Sequence, residues 1–202
     1  MTPTLKKAIF LDRDGTLNEE VSYLTDIKNI IIFKGVIEAL KIFKQFGFLN
    51  IIITNQAAVA KGLLTEDELI RINEEFINLL SINGEPLIDK IYYSPFHIDG
   101  TVEKYKIENE DRKPGTGMIK RAMNDFSICL EESFLIGDKL TDMKCAQNAG
   151  IKKILVMTGH GKSELIKCYN ENIFIEYIAI NLLQAAEFIK CLSLKNKEIN
   201  IV

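Results

Sequence analysis

The sequence of 202 residues predicts an α/β fold, a Rossmann-like three-layer sandwich with a mostly parallel central sheet. Three observations point to it. Short apolar runs at residues 8–11, 49–53 and 133–136 have the length of buried strands. Stretches with apolar residues at helical spacing alternate with them. The runs also stop abruptly at polar groups: Asp12 and Asp14, Thr54 and Asn55, and Asp138, while Arg112 and Lys113 follow a polar loop. Open parallel sheets bind ligands beyond the carboxyl ends of their strands, at a switch in strand order.

The elements follow in order. Residues 8–11 form the first strand, broken by Gly15 after the two acids, and residues 19–33 are a connector. A helix begins near Lys34, with Val36, Leu40 and Phe43 on one face and Gly47 at its C-terminal end. Residues 49–53 form the second strand. Thr65 to Glu68 is a capping box opening a helix with Leu69, Ile72, Phe76 and Leu79 inward, and Asn83-Gly84-Glu85-Pro86 breaks it. Residues 87–93 are read as a third strand and residues 94–111 as a polar loop. A helix carrying Ile119, Ala122, Met123 and Phe126 follows Lys113-Pro114-Gly115. The fourth strand, 133–136, ends at Gly137-Asp138. A helix over 141–149 closes at Gly150, and residues 153–157 form a fifth strand. The last helix starts at Asn181 and carries Leu182, Leu183, Ala186 and Ile189. Residues 1–192 are read as one domain and residues 193–202 as a frayed tail.

Composition narrows the class. Hydrophobic residues at 47% and charged residues at 26% are those of a globular protein. A net charge of −3 argues against a nucleic-acid partner. No run approaches the roughly 18 apolar residues of a membrane span, and four apolar residues after Lys6 and Lys7 are too few for a secretory signal. Cys129, Cys145, Cys168 and Cys191 lie far apart, which predicts reduced, mostly buried thiols in the cytoplasm. A monomer is the default.

Three carboxylates (Asp12, Asp14, Asp138), the Thr54 hydroxyl and Lys113 at one sheet edge describe a site for phosphoryl transfer. Oxygen-rich sites suit Mg²⁺, which binds through one or two carboxylates plus a substrate phosphate. There is no Gly-x-x-x-x-Gly-Lys loop, so a carboxylate nucleophile forming an aspartyl-phosphate fits better than a P-loop. A phosphate dianion with Asp12 and Asp138 brings about −4, and Mg²⁺ with Lys113 returns about +3. A protonated Asp14 would add no charge, protonate the leaving oxygen and then activate water as a base.

Asp12-Arg-Asp14-Gly-Thr16-Leu-Asn18, Thr54-Asn55-Gln56, Arg112-Lys113-Pro114 and Gly137-Asp138-Lys139 resemble, in order, the four motifs of the haloacid dehalogenase superfamily of phosphatases. Their wording is similar to the branch holding D-glycero-D-manno-heptose 1,7-bisphosphate 7-phosphatases and histidinol-phosphate phosphatase domains. The stretch from Thr54 to Gly62 sits closer to the heptose side. The resemblance implies a haloacid-dehalogenase-like fold without a large cap domain. It implies Asp12 as nucleophile and Asp14 as general acid/base. Mg²⁺ would be held by Asp12, the Asp14 main-chain carbonyl and Asp138. Thr54 and Lys113 would hold the transferring phosphoryl group. Glu20, Tyr23, Asn55, Gln56, Arg112 and Lys139 would contact the substrate, a small phosphorylated sugar; the Arg112 fork suits a second phosphate.

The sequence departs from that branch at one point. Where many members carry zinc ligands in the loop before Arg112, this chain has Ser94, Phe96, Asn109 and Asp111. A structural zinc is therefore not expected, His97 with Asp111 being too poor a donor set, and the loop must be held by its own bonds and packing. Asp142 is read either as orienting the metal site or as a solvated first-turn acid. His160 is read as a loop histidine or a ligand neighbour, and Lys61 as facing solvent or substrate. The rival functions are a histidinol-phosphate or other phosphomonoester phosphatase, and a non-catalytic sugar-phosphate binder.

Overall fold

The computed structural model describes residues 5–21 and 23–199. Its core is a six-stranded sheet with every pairing parallel. The first strand, β1 (Lys7–Leu11), leads into helix α1 (Val36–Gln45) and then β2 (Phe48–Asn55). The short helix α2 (Ala57–Ala60) and helix α3 (Glu66–Leu79) follow, then a two-stranded ladder of β3 (Ser81–Ile82) and β4 (Glu85–Pro86), then β5 (Lys90–Ser94). After a long loop come α4 (Gly117–Phe126), β6 (Phe134–Gly137), α5 (Leu140–Ala149) and β7 (Lys152–Val156). The last elements are α6 (Gly161–Asn170), β8 (Tyr177–Ala179) and α7 (Leu182–Ile199).

The strand order is β5-β2-β1-β6-β7-β8. The chain moves outward from β1 to β5, then returns to the other side of β1 as β6. The reversal lies between β1 and β6, where such a sheet opens a crevice.

Successive side chains of β1 point to opposite faces and find different helices. Ile9 and Leu11 pack with Val36, Leu40 and Phe43 of α1 and with Leu182, Ala186 and Ile189 of α7. Ala8 and Phe10 pack with Met118, Ile119 and Ala122 of α4, Met143 and Ala146 of α5, and Cys168 of α6. Both faces are covered, so the strands read as continuous apolar runs. A third cluster, built on Leu24, α2, Leu69, Ile72 and Tyr105, lies under the loops beyond the sheet edge.

Five strands and their intervening helices match the sequence reading, and the Thr65 capping box is present with both of its bonds. The differences have local causes. The third strand starts at Lys90 rather than residue 87, because Asn83 and Gly84, both at positive φ, make a tight turn that pairs β3 with β4. The sequence reading did not name β8 and α6; β8 has three residues and α6 keeps only Gly161 and Cys168 buried, so neither has a strong period. Leu79 and Met123 are exposed rather than inward, whereas Leu80 and Met118 are buried. Asn181 caps α7 through Gln184 N (3.0 Å), but the helix does not fray at Ser193. Leu192 still packs on the core and the helix continues to Ile199; residues 200–202 lie outside the described residues. Cys145 and Cys168 are buried as expected, whereas Cys191 is exposed, and all four thiols are free.

Candidate active site

Asp12 prolongs β1 by one ladder bond, its N–H donating to Ile136 O (3.0 Å), so its carboxylate is fixed at the sheet edge. The next residue, Arg13, is fully buried. A buried guanidinium needs partners. Nε donates to Asp14 Oδ1 (3.1 Å), Nη2 to Asp14 Oδ2 (2.8 Å) and Nη1 to Asn73 Oδ1 (3.3 Å), with the Phe76 ring beneath. Asn18 Nδ2 (3.0 Å) and Gln56 Nε2 (2.9 Å) also donate to the Asp14 carboxylate. Burial pushes the Asp14 carboxyl up, but the Arg13 charge and these bonds outweigh it, and the net direction is down. Asp14 therefore rests ionised.

Lys113 is buried; its ammonium donates to Asp12 Oδ1 (2.7 Å) and Ile53 O (2.8 Å) and forms an ion pair with Asp142 Oδ1 at 2.6 Å. Burial disfavours its charge, but the two carboxylates overcome that and raise its pKa. The Lys113 backbone is fixed separately. Its N–H donates to Asn55 Oδ1 (2.9 Å), and Asn55 Nδ2 donates back to its carbonyl (3.1 Å).

Asp138 ends β6 in a pocket made by two glycines at positive φ. A Cβ on either Gly15 or Gly159 would lie 2.3 Å from Asp138 Oδ2. That oxygen accepts from His160 N (2.8 Å), whereas the buried Oδ1 has no hydrogen-bond partner. Burial first, then Asp12 and Asp142, push the Asp138 carboxyl well above the usual carboxylate range. Asp142, in the first turn of α5, is fully buried, and its Oδ2 accepts from Lys139 N (3.0 Å). Asp12, Asp138 and Asp142 each offer an oxygen, all within 4.8 Å of one another, the one such group among the described residues. Three buried acids, two of them with an oxygen that accepts no hydrogen bond, fit a hard divalent cation such as Mg²⁺. The Asp14 carboxylate, turned to Arg13, is outside this group.

The comparisons with known proteins point the same way. Residues 110–184 match the HAD-hydrolase-like family model. The chain is 36% identical over 185 residues to D-glycero-D-manno-heptose-1,7-bisphosphate 7-phosphatase of Chlorobaculum tepidum, covering 89% of this chain and 92% of that protein. The chain belongs to the haloacid-dehalogenase-like phosphatases, in the heptose 1,7-bisphosphate 7-phosphatase branch. It is also 42% identical over 153 residues to D-glycero-beta-D-manno-heptose-1,7-bisphosphate 7-phosphatase of Photorhabdus laumondii, covering 75% of this chain and 81% of that protein. Among solved structures, D,D-heptose 1,7-bisphosphate phosphatase from B. bronchiseptica, complexed with magnesium and phosphate, superimposes with a TM-score of 0.76. It is 26% identical and covers 90% of this chain and 96% of that one. Like its relatives, this phosphatase is a phosphoric monoester hydrolase.

Two adjoining recesses complete the phosphatase site. The inner one, about 40 Å³, is lined by Asp12, Asp14, Thr54, Lys113 and Asp142. The outer cleft, about 280 Å³, is lined by Asp14, Glu20, Tyr23, Asn55, Gln56, Arg112 and Lys139. Lys139 crosses it to Glu20 (2.7 Å) and Arg112 Nη1 donates to Phe96 O (3.1 Å). Asn55 and Gln56 line the cleft, but their side chains are already committed, Asn55 to Lys113 and Gln56 to Asp14 and Thr54 Oγ1 (2.8 Å).

The sequence assigns no role to Arg13 and leaves two readings open for Asp142. Asp142 is not a solvated acid; the signal was its place four residues after Asp138, which turns it back onto the strand end. Arg13 lies inside the first motif, and nothing in its spacing announces the fork onto Asp14. Among the remaining candidates, His97 Nδ1 accepts from Asp99 N (3.1 Å), and Asp111 pairs with Arg121 (3.1 Å) rather than His97. His160 reaches Asp138 through its backbone, its ring half exposed near Glu20 (3.7 Å). Lys61 hydrogen-bonds the Tyr23 hydroxyl and lies over its ring.

Proposed function

We propose that this chain removes the 7-phosphate of a D-glycero-D-manno-heptose 1,7-bisphosphate, through an aspartyl-phosphate on Asp12, with Mg²⁺ as cofactor. The observation that carries this reading is the position of the Asp12 carboxylate. It sits beside Lys113 and the acid group in a recess that adjoins the polar cleft. The names of the relatives supply the sugar.

Bound Mg²⁺, held by Asp12, Asp138 and Asp142 together with the Asp14 main-chain carbonyl, would offset the charge of the acids and of the phosphoryl oxygens. Lys113 holds the Asp12 carboxylate in place (2.7 Å), and with Thr54 it offsets the charge of the transferring group. An Asp12 oxygen bonds to phosphorus as the bond to the sugar oxygen breaks. The leaving oxygen takes a proton from Asp14, and Asp14 then removes one from the water that cleaves the acyl-phosphate. Since Asp14 rests ionised, the proton it donates arrives with the substrate, whose negative charge opposes the effect of Arg13. The buried acid at Asp142 adds a negative charge that a count of Asp12 and Asp138 omits, which strengthens the need for the cation. Arg112 and Lys139 contact the sugar and its non-reacting phosphate, with Glu20 and Tyr23 lining the same cleft. Asn55 and Gln56 act by holding Lys113 and Asp14. One chain supplies every group named, so a monomer suffices.

Phosphate release with Mg²⁺ is to be compared on heptose 1,7-bisphosphate, histidinol phosphate and hexose 6-phosphates, with Asp12→Asn as control. Preference for the heptose and no turnover in the variant are expected; full turnover by D12N, or preference for histidinol phosphate, overturns the reading.

A further inference from the structure

Lys113 and Arg112 are neighbours in sequence but are fastened to different parts of the fold. Lys113 is tied to β2 by two Asn55 bonds and by its ion pairs below. Arg112 is tied to the loop of residues 95–111, through Phe96 O. That loop holds the positions at which the family resemblance would place zinc ligands. Its four corresponding positions are in ordinary use or buried: Phe96 packs on Tyr105 at 6.0 Å, Asn109 Oδ1 accepts from Asp111 N, Asp111 pairs with Arg121, and Ser94 ends β5.

The loop has another anchor. Tyr105, nearly buried at the end of a short 3-10 turn (Glu103–Tyr105), donates its hydroxyl to Glu66 Oε2 (2.6 Å). Tyr93 Oη donates to Glu66 Oε1 (3.2 Å), and Lys104 Nζ lies 3.5 Å from Oε2 and 3.0 Å from the Tyr105 hydroxyl. The Tyr105 carbonyl accepts from His97 N (3.0 Å), which fixes the peptide that presents Phe96 O to Arg112. Thr101 N and Val102 N donate to Ala60 O and hold the far side of the turn against α2 (2.8 and 2.9 Å). A chain of direct contacts therefore runs from Glu66 through Tyr105 and the 96–97 peptide to the Arg112 guanidinium.

We propose that Glu66 and Tyr105 are positioning residues for Arg112, and that they fix recognition of the substrate's non-reacting phosphate separately from the catalytic lysine beside it. The proposal rests on the reading that Arg112 contacts that phosphate. It assigns to Glu66 a role beyond the first turn of α3, where the capping is done by Thr65 and Glu68. It also says what holds the loop: a tyrosine–carboxylate hub against the first turn of α3.

The consequence is a split in kinetic constants. Loosening the hub lets the Arg112 fork wander and weakens binding of the second phosphate, while the Asn55 clamp keeps Lys113 in register for the chemistry. KM and kcat are to be measured for Tyr105→Phe, Glu66→Gln, Arg112→Ala and wild type, on heptose 1,7-bisphosphate and on p-nitrophenyl phosphate, which has one phosphate only. For Y105F and E66Q, KM for the bisphosphate is expected to rise about fivefold, the size of one lost hydrogen bond, with kcat and both constants for p-nitrophenyl phosphate within about twofold. Melting temperatures show whether each variant is folded, and Y105F, which removes one oxygen, is the decisive variant if E66Q is unstable. A rise in KM for R112A with wild-type KM in Y105F overturns this proposal and leaves the reading of Arg112 standing. An unchanged KM in R112A overturns that reading and this proposal with it. An equal loss of kcat on both substrates in Y105F also overturns it, since the hub would then support the whole site.

Discussion

Asp142 Oδ1 lies 2.6 Å from Lys113 Nζ, and both side chains are almost wholly out of water. The pair joins the loop before α4 to the first turn of α5, and it leaves the lysine balanced between Asp142 and Asp12. Asp142→Asn keeps the shape but lets Lys113 settle on Asp12 alone, drawing charge from the nucleophile. A fall in kcat of about tenfold to a hundredfold is expected, with a loss of about 3 kcal/mol in stability from breaking a buried pair. Steady-state kinetics and urea unfolding check both; wild-type kcat would remove Asp142 from the site.

Arg13 controls the proton affinity of Asp14. Its charge and paired bonds lower the Asp14 carboxyl, so Arg13→Met raises it. If Asp14 must be ionised to activate water, the acid limb of the kcat–pH profile moves to higher pH, by about one unit. Arg13→Lys retains charge without the fork and moves it less. A limb that stays in place in R13M shows that another group titrates there.

Magnesium should stabilise the fold more at pH 8 than at pH 5. Asp138 and Asp142 are raised in the folded chain, burial being the first cause for each, so they bind protons more tightly folded than unfolded. Their effect is to lower the stability of the metal-free chain as pH rises from about 4 through the raised values. The depressed Asp14 contributes in the opposite sense, and its contribution is lost only as pH falls below that range. A cation takes the place of the lost protons. At a hundred times Kd it adds about 2.7 kcal/mol, or roughly 5–10 °C in Tm, and thermal unfolding with and without Mg²⁺ at both pH values measures the difference.

Gly159 should tolerate no side chain. At its positive φ, a Cβ would approach Asp138 Oδ2 to 2.3 Å and Gly15 Cα to 2.6 Å. Gly159→Ala is expected to weaken Mg²⁺ activation at least tenfold by moving Asp138, while the strands remain folded. Circular dichroism and a Mg²⁺ titration of activity separate the two effects.

Much of this was readable in advance because the informative residues sit at strand ends. The buried runs at β1, β2 and β6 each stop at a site residue. What escaped was short or depended on partners. β8 has three residues, so no period can form. Asn55 and Gln56 carry the right chemistry to meet a sugar, yet their bonds go to Lys113 and Asp14, which are distant in the chain.

By itself the sequence determined the order of elements and placed Asp12, Asp14, Asp138 and Lys113 at one edge, because local hydrophobic period and chain-end chemistry are properties of neighbouring residues. Only the tertiary structure decided what surrounds those groups. Asp14 is ionised because Arg13, Asn18 and Gln56 converge on it, Asp142 joins the site because α5 turns it beneath Lys113, and Arg112 is held by a hub on α3. Electrostatic energies depend on distance and on exclusion of water, and both are set by packing across the fold.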